Sequence, residues 1–458
     1  MRMGGRLSAA IEVLDDFDRR RVPLKTALAD WARGARYAGS KDRAWISGLC
    51  LDVLRKKRSL AAAMGDDSSR AAAIGALHFH WHVSIDELAE AGDEPHGTGA
   101  LSDDERARLA VGGDGWTKCA SPPCAADEID PAYAGHSGAT SDSSVAGDFP
   151  DWLAPNIDRV FGDKAAAIMA AFCERADIDL RLNSLKTEPE KALAALKSVK
   201  AQSIPLLTTS ARIAAPEPSE KAPGITIIPA FNKGWVEVQD LGSQLAASAA
   251  GAIKGAQVLD YCAGGGGKTL ALASMMENTG QLYAYDREAR RLAPLFDRAK
   301  RAGVRNLQIR SPAGGEGLDD LVGKMGLVFV DAPCSGAGTW RRHPDTKWRL
   351  TEAQLATRMI EQDAVLREAS RFVRPGGRMV WVTCSFLMEE NEDRLASFLS
   401  DNKEFSQISA LDAMNASGQI TQEGREALQA CLSADGAIRL TPDKIRADGF
   451  FIAVLARR

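Results

Sequence analysis

The chain has 458 residues, a formal net charge of −4 and a sequence pI near 6.0. Apolar residues supply 45% and charged residues 26%, a globular balance that excludes a disordered or fibrous chain, and this length predicts two to four domains. No run approaches the ~18 apolar residues of a membrane span, and eight scattered cysteines fit a reducing cytoplasm better than a disulfide framework.

The opening, "MRMGGRLSAAIEVLDDFD", is charged early and lacks an apolar h-region, so no secretory signal is expected. Residues 1–118 read as helices. "RLSAAIEVLDDFDRR", "LKTALADWARGARY", "SKDRAWISGLCLDVLRKKRSLAAAMG" and "SRAAAIGALHFHWH" repeat apolar residues at helical spacing. Ser40 and Asp42 are candidate N-terminal caps. Within residues 1–60, 14 Lys and Arg face 7 Asp and Glu, a local excess of +7 that suits nucleic acid despite the acidic total. Residues 119–148, rich in Pro, Gly, Ser and Ala, read as a linker. Residues 149–240 form a small α+β, RRM-like piece: helical spacing over "FPDWLAPNIDRVFGDKAAAIMAAFCERA", then strands at "DLRLNSLKT", "GITIIPA" and "GWVEVQD". From 241 to 458 strand and helix alternate. "AQVLDYC", "GQLYAYD", "NLQIR", "LVFVDAP", "GGRMVWVTCS" and a final "GFFIAVLA" predict a parallel, Rossmann-like sheet covered on both faces.

Three stretches carry chemistry. In "VLDYCAGGGGKTLALASMM" a strand, a glycine turn and a helix let backbone approach a ligand at a helix N-terminus. A phosphate loop needs glycine at position 262, where this chain has Cys262. The dinucleotide spacing Gly-x-Gly-x-x-Gly is absent as well. S-adenosylmethionine, which needs close backbone approach but no pyrophosphate cradle, is the third user of this topology. Asp286 ends the next strand about twenty residues on, where an acid grips ribose hydroxyls, although helix capping is the commoner role for a lone strand-end Asp. Cys334 and Cys384 each follow an apolar strand, so both are placed at the carboxyl edge of the sheet where ligands bind. Such a pair suits reaction at carbon 5 of a pyrimidine: one thiolate adds at carbon 6, and a second group assists release. The alternative, two core cysteines, is common for any single Cys. Elsewhere His78, His80 and His82 read as packing residues, Cys50 as core, and Cys119 with Cys124 as no zinc site for want of a partner pair. "RRHPDTKWR", interrupted by Pro344 and flanked by Trp340 with Trp348 inside it, reads as a strip for a nucleic-acid strand.

The segments "VQDLGSQL", "DYCAGGGGKT", "DAPCSGAGTWRRHPDTKW", "RPGGRMVWVTCSFLMEENE" and "DGFF" resemble, in this order, the NOL/NOP/Sun family of RNA cytosine-5 methyltransferases, in its bacterial Sun/Fmu (RsmB-like) branch. "GSKDRAWISGLCLDVLRKKRSL" is similar to the NusB-like RNA-binding helical domain of that branch. The resemblance implies S-adenosyl-L-methionine as cofactor, RNA and in particular ribosomal RNA as partner, and a cytoplasmic monomer without membrane attachment. It implies Cys384 as nucleophile, Cys334 as the residue aiding release, and Asp331 as the acid contacting cytosine near the cofactor. The cofactor site implied is Cys262, Ala263, Gly264, Gly265, Gly266, Gly267, Lys268, Asp286 and Asp331, with no metal. Two departures stand out. Gly265 replaces the usual proline, which should loosen the loop, and Ser311 stands where an adenine-facing acid is expected. Two other readings remain open: an inactive NusB-like RNA-binding regulator, and a P-loop nucleotide hydrolase built on "GGGGKT" and "LVFVD".

Overall fold

The computed structural model describes residues 1–119, 142–218, 220, 222–312 and 317–458. They pack as two units. The first comprises Met1–Arg175, Pro216–Ala222 and Trp340–Leu350, and the second Ala176–Ala215, Pro223–Thr339 and Thr351–Arg458.

The first unit is helical. Its helix Met3–Arg20 buries Leu7, Ala10, Leu14 and Phe17, a stripe at alternating steps of three and four. The segment 40–65, expected as one helix, is two: Ser40–Arg55 and Lys57–Met64. The break has a cause. The Asp148 carboxylate accepts from the amides of Arg58 (2.8 Å) and Ser59 (3.0 Å), so a fresh helix N-terminus is capped there. Asp42 caps the first of the two by accepting from the Gly39 amide at 3.0 Å, and Ser40 makes no capping bond. Cys50 is fully buried. His78 and His80 lie at the end of the helix Ser69–Phe79. The His78 ring meets the Val83 carbonyl at 2.8 Å, and burial pulls His80 down to about 3. Of the stretch 119–148, Cys119 ends the helix Asp103–Cys119 and Asp142–Ala146 is a short helix, whereas 120–141, with Cys124, lies outside the described residues.

The segment Trp340–Leu350 does not form the exposed nucleic-acid strip expected from its sequence. Trp340, Arg341 and Lys347 are 1–2% exposed. The Lys347 ammonium donates to the Arg55 carbonyl (3.0 Å), the Trp348 indole to the Leu54 carbonyl (2.6 Å), and the Arg55 guanidinium to the Arg341 carbonyl (2.9 Å). Their long stems fill core space while each charged head finds a backbone oxygen. Pairs within residues 1–60, such as Arg6–Asp42, Arg20–Asp30 and Lys57–Asp18, leave the +7 excess as it is, whereas Arg58–Asp151, with its acid outside the stretch, draws on it.

The second unit holds two sheets. The smaller runs β2-β3-β1-β4, all antiparallel, from β1 (Ile178–Leu182), β2 (Gln202–Ser203), β3 (Ser210–Ile213) and β4 (Val236–Val238). Leu180, Leu182, Ala211, Ile213 and Val236 form its core. "GITIIPA", expected as a strand, is instead a 3₁₀ turn Ile225–Ile227 followed by a helix Pro229–Asn232. Ile225 and Ile228 are buried while Ile227 is 81% exposed; a spacing of three is helical, and Pro229 takes the first helical position, where it loses no hydrogen bond.

The larger sheet contains β5 (Gln257–Asp260), β6 (Gln281–Tyr285), β7 (Leu307–Arg310), β8 (Met325–Asp331), β9 (Val373–Thr383), β10 (Phe405–Ile408), β11 (Ile438–Leu440) and β12 (Phe450–Arg457). Its order is β10-β12-β9-β8-β5-β6-β7, with β11 on β12. From β9 to β7 the strands are parallel, as expected. The final strand is not: β12 runs antiparallel to both β9 and β10. It begins at the ligand edge rather than ending there, which delivers Phe450 to the same edge as the tips of β5, β8 and β9.

Candidate active site

Four strand tips converge. The register Asp331↔Val382 continues past the strands through an Ala332 amide to Val382 carbonyl bond of 2.8 Å, so the turns after β8 and β9 lie side by side. The result brings Cys334 and Cys384 together, Sγ to Sγ at 3.4 Å. The neighbouring Cys384 sulfur, then burial, push the Cys334 thiol well above its ordinary range. The Lys268 ammonium bonds Asp331 Oδ2 at 2.7 Å and stands 5.2 Å from the Phe450 ring centre. Burial works to lower Lys268, but the Asp331 charge outweighs it and the ammonium is held on. Asp331 keeps a third of its side chain exposed.

Residues not singled out from the sequence hold the thiol turns. Glu390 is fully buried. Its carboxylate accepts from the Ser335 amide (2.7 Å) and hydroxyl (2.6 Å), on the Cys334 turn, and from the Gln362 amide at 3.3 Å. Next to it, Asn391 accepts from Thr383 Oγ1 (2.5 Å) and donates to the carbonyls of Ser385 (3.0 Å) and Leu387 (2.7 Å), on the Cys384 turn. One dipeptide thus sets both thiol turns. Both residues sat within the quoted "CSFLMEENE", but nothing in their spacing announces a contact 55 residues back.

The glycine turn after β5 is shaped differently. Gly264 and Gly266 have φ of +51° and +85°, and a Cβ on Gly266 would stand 2.2 Å from Leu295; only glycine fits. Gly265 needs no left-handed backbone, and its carbonyl accepts from Arg298 at 2.5 Å. The expected loosening at this position is therefore countered by a guanidinium clamp. Ala263 is tied to the Tyr285 carbonyl at 2.9 Å, and Gly267–Met275 begins the helix carrying Lys268. Asp286, just past β6, is 3% exposed; it accepts from the amides of Gly264 (3.0 Å) and Glu288 (2.9 Å) and pairs with the half-exposed Arg291 at 3.3 Å. Cys262 packs against the core below, its thiol raised well above normal by burial. Ser311 follows β7, and 313–316 lie outside the described residues.

Asp260, at the tip of β5, was also missed. Burial pushes its carboxyl up to about 7. Thr269 donates to Oδ2 at 2.6 Å, whereas buried Oδ1 has no partner among the described residues. A buried carboxylate oxygen without a partner, at the end of the strand that leads into the glycine turn, is an acceptor that a cationic ligand would satisfy.

Residues 252–456 match the family described as 16S rRNA methyltransferase RsmB/F, and residues 149–218 match the RsmF/B-like ferredoxin-like domain. A probable ribosomal RNA small subunit methyltransferase B of Synechocystis is 31% identical over 314 residues, 68% of this chain and 67% of that protein. A ribosomal RNA small subunit methyltransferase B of Enterobacter is 31% identical over 255 residues, 55% of this chain and 57% of its own. The matches thus span between about half and two thirds of these relatives' own length. Among solved structures, NSun6 from Pyrococcus horikoshii with SFG shares the fold at a TM-score of 0.55 and 21% identity, over 68% of this chain and 98% of that one. A methyltransferase homolog from the same organism gives 0.55 and 24%, over 70% and 100%.

Proposed function

The chain belongs to the RsmB/F family of 16S rRNA methyltransferases, and from that premise we propose that it methylates carbon 5 of a cytosine in small-subunit ribosomal RNA through a covalent Cys384 adduct. The cofactor of this family is S-adenosyl-L-methionine. When bound, it supplies an electrophilic methyl group. The glycine turn Ala263–Gly267, Asp286 and Asp260 are the residues that would hold it, and the orphaned Asp260 oxygen is the observation in favour.

The observation that carries the cytosine reading is the 3.4 Å thiol pair beside the Lys268–Asp331 ion pair. Cys384 as thiolate adds to carbon 6, which makes an enamine nucleophilic at carbon 5. As the adduct forms, ring nitrogen 3 of the cytosine takes up a proton from solvent and the Asp331 carboxylate accepts a hydrogen bond from the new N–H, which favours addition at carbon 6; that proton is given back when the carbon 6–sulfur bond breaks. Lys268 fixes Asp331. Once carbon 5 carries its methyl, its proton must leave before the carbon 6–sulfur bond can break and restore the double bond. Cys334, beside Cys384, takes or relays that proton. Lys268 is committed to Asp331, which leaves it unavailable for a nucleotide phosphate and disfavours the hydrolase reading. In this proposal residues 1–118 act as a NusB-like RNA-binding domain, 149–240 as a small accessory domain and 241–458 as the catalytic domain.

The test is methyl transfer from labelled S-adenosylmethionine to protein-free small-subunit rRNA, followed by bisulfite mapping. A single protected cytosine is expected. Label on another base, or cofactor binding without transfer, overturns the proposal.

A further inference from the structure

The second unit has another concavity, of about 670 Å³, whose lining includes Lys186, Lys233, Trp235, Asp297, Lys300 and Arg301. It lies between the loop entering β4 and the helix Ala293–Ala302. Its floor is built rigidly. The Asn183 amide donates to the carbonyls of Gly234 (2.8 Å) and Ala302 (2.9 Å). Gly234, at φ +72°, lies so close that a Cβ would stand 2.0 Å from the Arg301 carbonyl oxygen. The Lys186 stem rests on Gly303, where a Cβ would meet it at 2.9 Å.

Charge is concentrated here. The Lys233 and Lys191 ammoniums stand 4.8 and 5.2 Å from the Trp235 ring centre, where the ring quadrupole holds them. Lys186, Lys191, Lys233 and Lys300 are exposed, and no ion pair engages them among the described residues. Arg301 is paired with Glu237 beneath the surface. Phe296, 61% exposed, lies one turn before Lys300 on the same helix face. Arg298, one turn before Arg301, reaches Gly265 of the cofactor turn. A small ligand would want an apolar floor and enclosure. An open groove of unpaired lysines with accessible rings suits a single-stranded polyanion, whose phosphates take the ammoniums and whose bases stack on the rings.

We propose that this groove docks a single-stranded stretch of the RNA substrate, outside the thiol cleft and up to the cofactor turn. The inference rests on the RNA methyltransferase reading above. The test compares the full chain with its Lys186→Gln/Lys233→Gln/Lys300→Gln variant, binding protein-free small-subunit rRNA over a range of salt. Loss of three phosphate contacts should make the slope of log affinity against log salt shallower by about 2, and weaken binding on the order of tenfold or more at physiological salt. The dissociation constant for S-adenosylmethionine should not move, which shows the variant folded. An unchanged slope in a variant of an RNA-methylating enzyme overturns the groove alone. A wild-type chain that binds the cofactor but neither binds nor methylates RNA overturns the RNA reading, and the groove with it. Phosphatidylserine vesicles that retain the wild type but not the variant, with the RNA slope unchanged, would assign the lysines to membrane headgroups and overturn the proposal.

Discussion

The thiol turns after β8 and β9 and the glycine turn after β5 are neighbours on one sheet edge, yet they are held by different means. The thiol turns are fixed by side chains: Glu390 and Asn391 tie them down through six hydrogen bonds, counting that from Gln362, all to buried or part-buried partners. The glycine turn takes its shape from the backbone, with two residues in the left-handed region, and the Asp286 carboxylate and Arg298 guanidinium hold it only through backbone amide and carbonyl groups. The difference follows the work. In the mechanism proposed above, two sulfurs must reach adjacent ring carbons, Cys384 carbon 6 and Cys334 the proton on carbon 5, within tenths of an ångström, which calls for rigid support from behind. A cofactor's outline needs room, which glycine provides by lacking a side chain.

The largest effect expected is at the thiols. Cys384→Ala should reduce methyl transfer on the order of 10⁴-fold or more and abolish any covalent RNA adduct. Cys334→Ala should still allow attack and methylation, then fail at release. A protein–RNA species carrying the transferred methyl should accumulate on denaturing gels. The two outcomes exchanged would reverse the roles, and activity retained in both variants would reduce the pair to packing.

Next is the support. Glu390 meets three donors, so an amide there turns an N–H toward at least one of them. Glu390→Gln should lower kcat about tenfold to a hundredfold, from the roughly 1–3 kcal/mol of a mispaired buried group. Cofactor affinity should be unaffected. Equal losses in cofactor binding and kcat would mean that Glu390 supports the sheet edge as a whole and not the thiol turns.

What could be read from the sequence divides along the same line. Backbone devices announce themselves locally: four successive glycines, an acid at a strand tip, a cysteine after an apolar run. Side-chain supports do not. Glu390 and Ser335, Arg298 and Gly265, Asn183 and Ala302 are brought together only by the order of strands. Charge misled for the same reason. "RRHPDTKWR" is a dense basic stretch, and its Arg341 and Lys347 are buried; Lys186, Lys233 and Lys300 are scattered, and they make an exposed cationic groove. Proximity in sequence says little about whether a long cationic stem will find a carbonyl in the interior. The final strand was found but not its direction, because alternation carries no sign of parallel or antiparallel pairing.

A smaller effect concerns pH. Asp260, raised to about 7 by burial, is neutral at low pH without cofactor. The sign is therefore opposite to that of a salt-bridged acid: the stability it lends is complete below its ordinary value of 3.8 and is lost as pH rises through 7. Binding a cation runs the other way, because it favours the ionised form. Affinity for S-adenosylmethionine should rise about tenfold between pH 6 and 8, one unit of pH below the pKa costing about 1.4 kcal/mol. Asp260→Asn should bind more weakly and flatten that profile. A wild-type profile already flat would remove Asp260 from the cofactor site.

The smallest effect separates three adjacent glycines. Gly264 and Gly266 sit at φ values that side chains resist, and at Gly266 a Cβ collides with Leu295 at 2.2 Å. Gly265 lies outside that region. A Cβ there would meet Arg298 at 3.5 Å, an ordinary contact, while the carbonyl stays within the arginine's reach. Gly265→Ala should then act mainly on the unfolded chain, stabilising by about 0.4–1 kcal/mol and raising Tm by roughly one to four degrees. Cofactor affinity should hold or improve, since a stiffer turn has less to lose on binding. Gly266→Ala should do the reverse, displacing Leu295 or the turn itself and destabilising by more than Gly265→Ala gains. Thermal unfolding of the two variants side by side decides the matter. If both destabilise alike, the turn requires glycine throughout, and its shape depends on freedom at all three positions rather than on two left-handed residues with a clamped one between them.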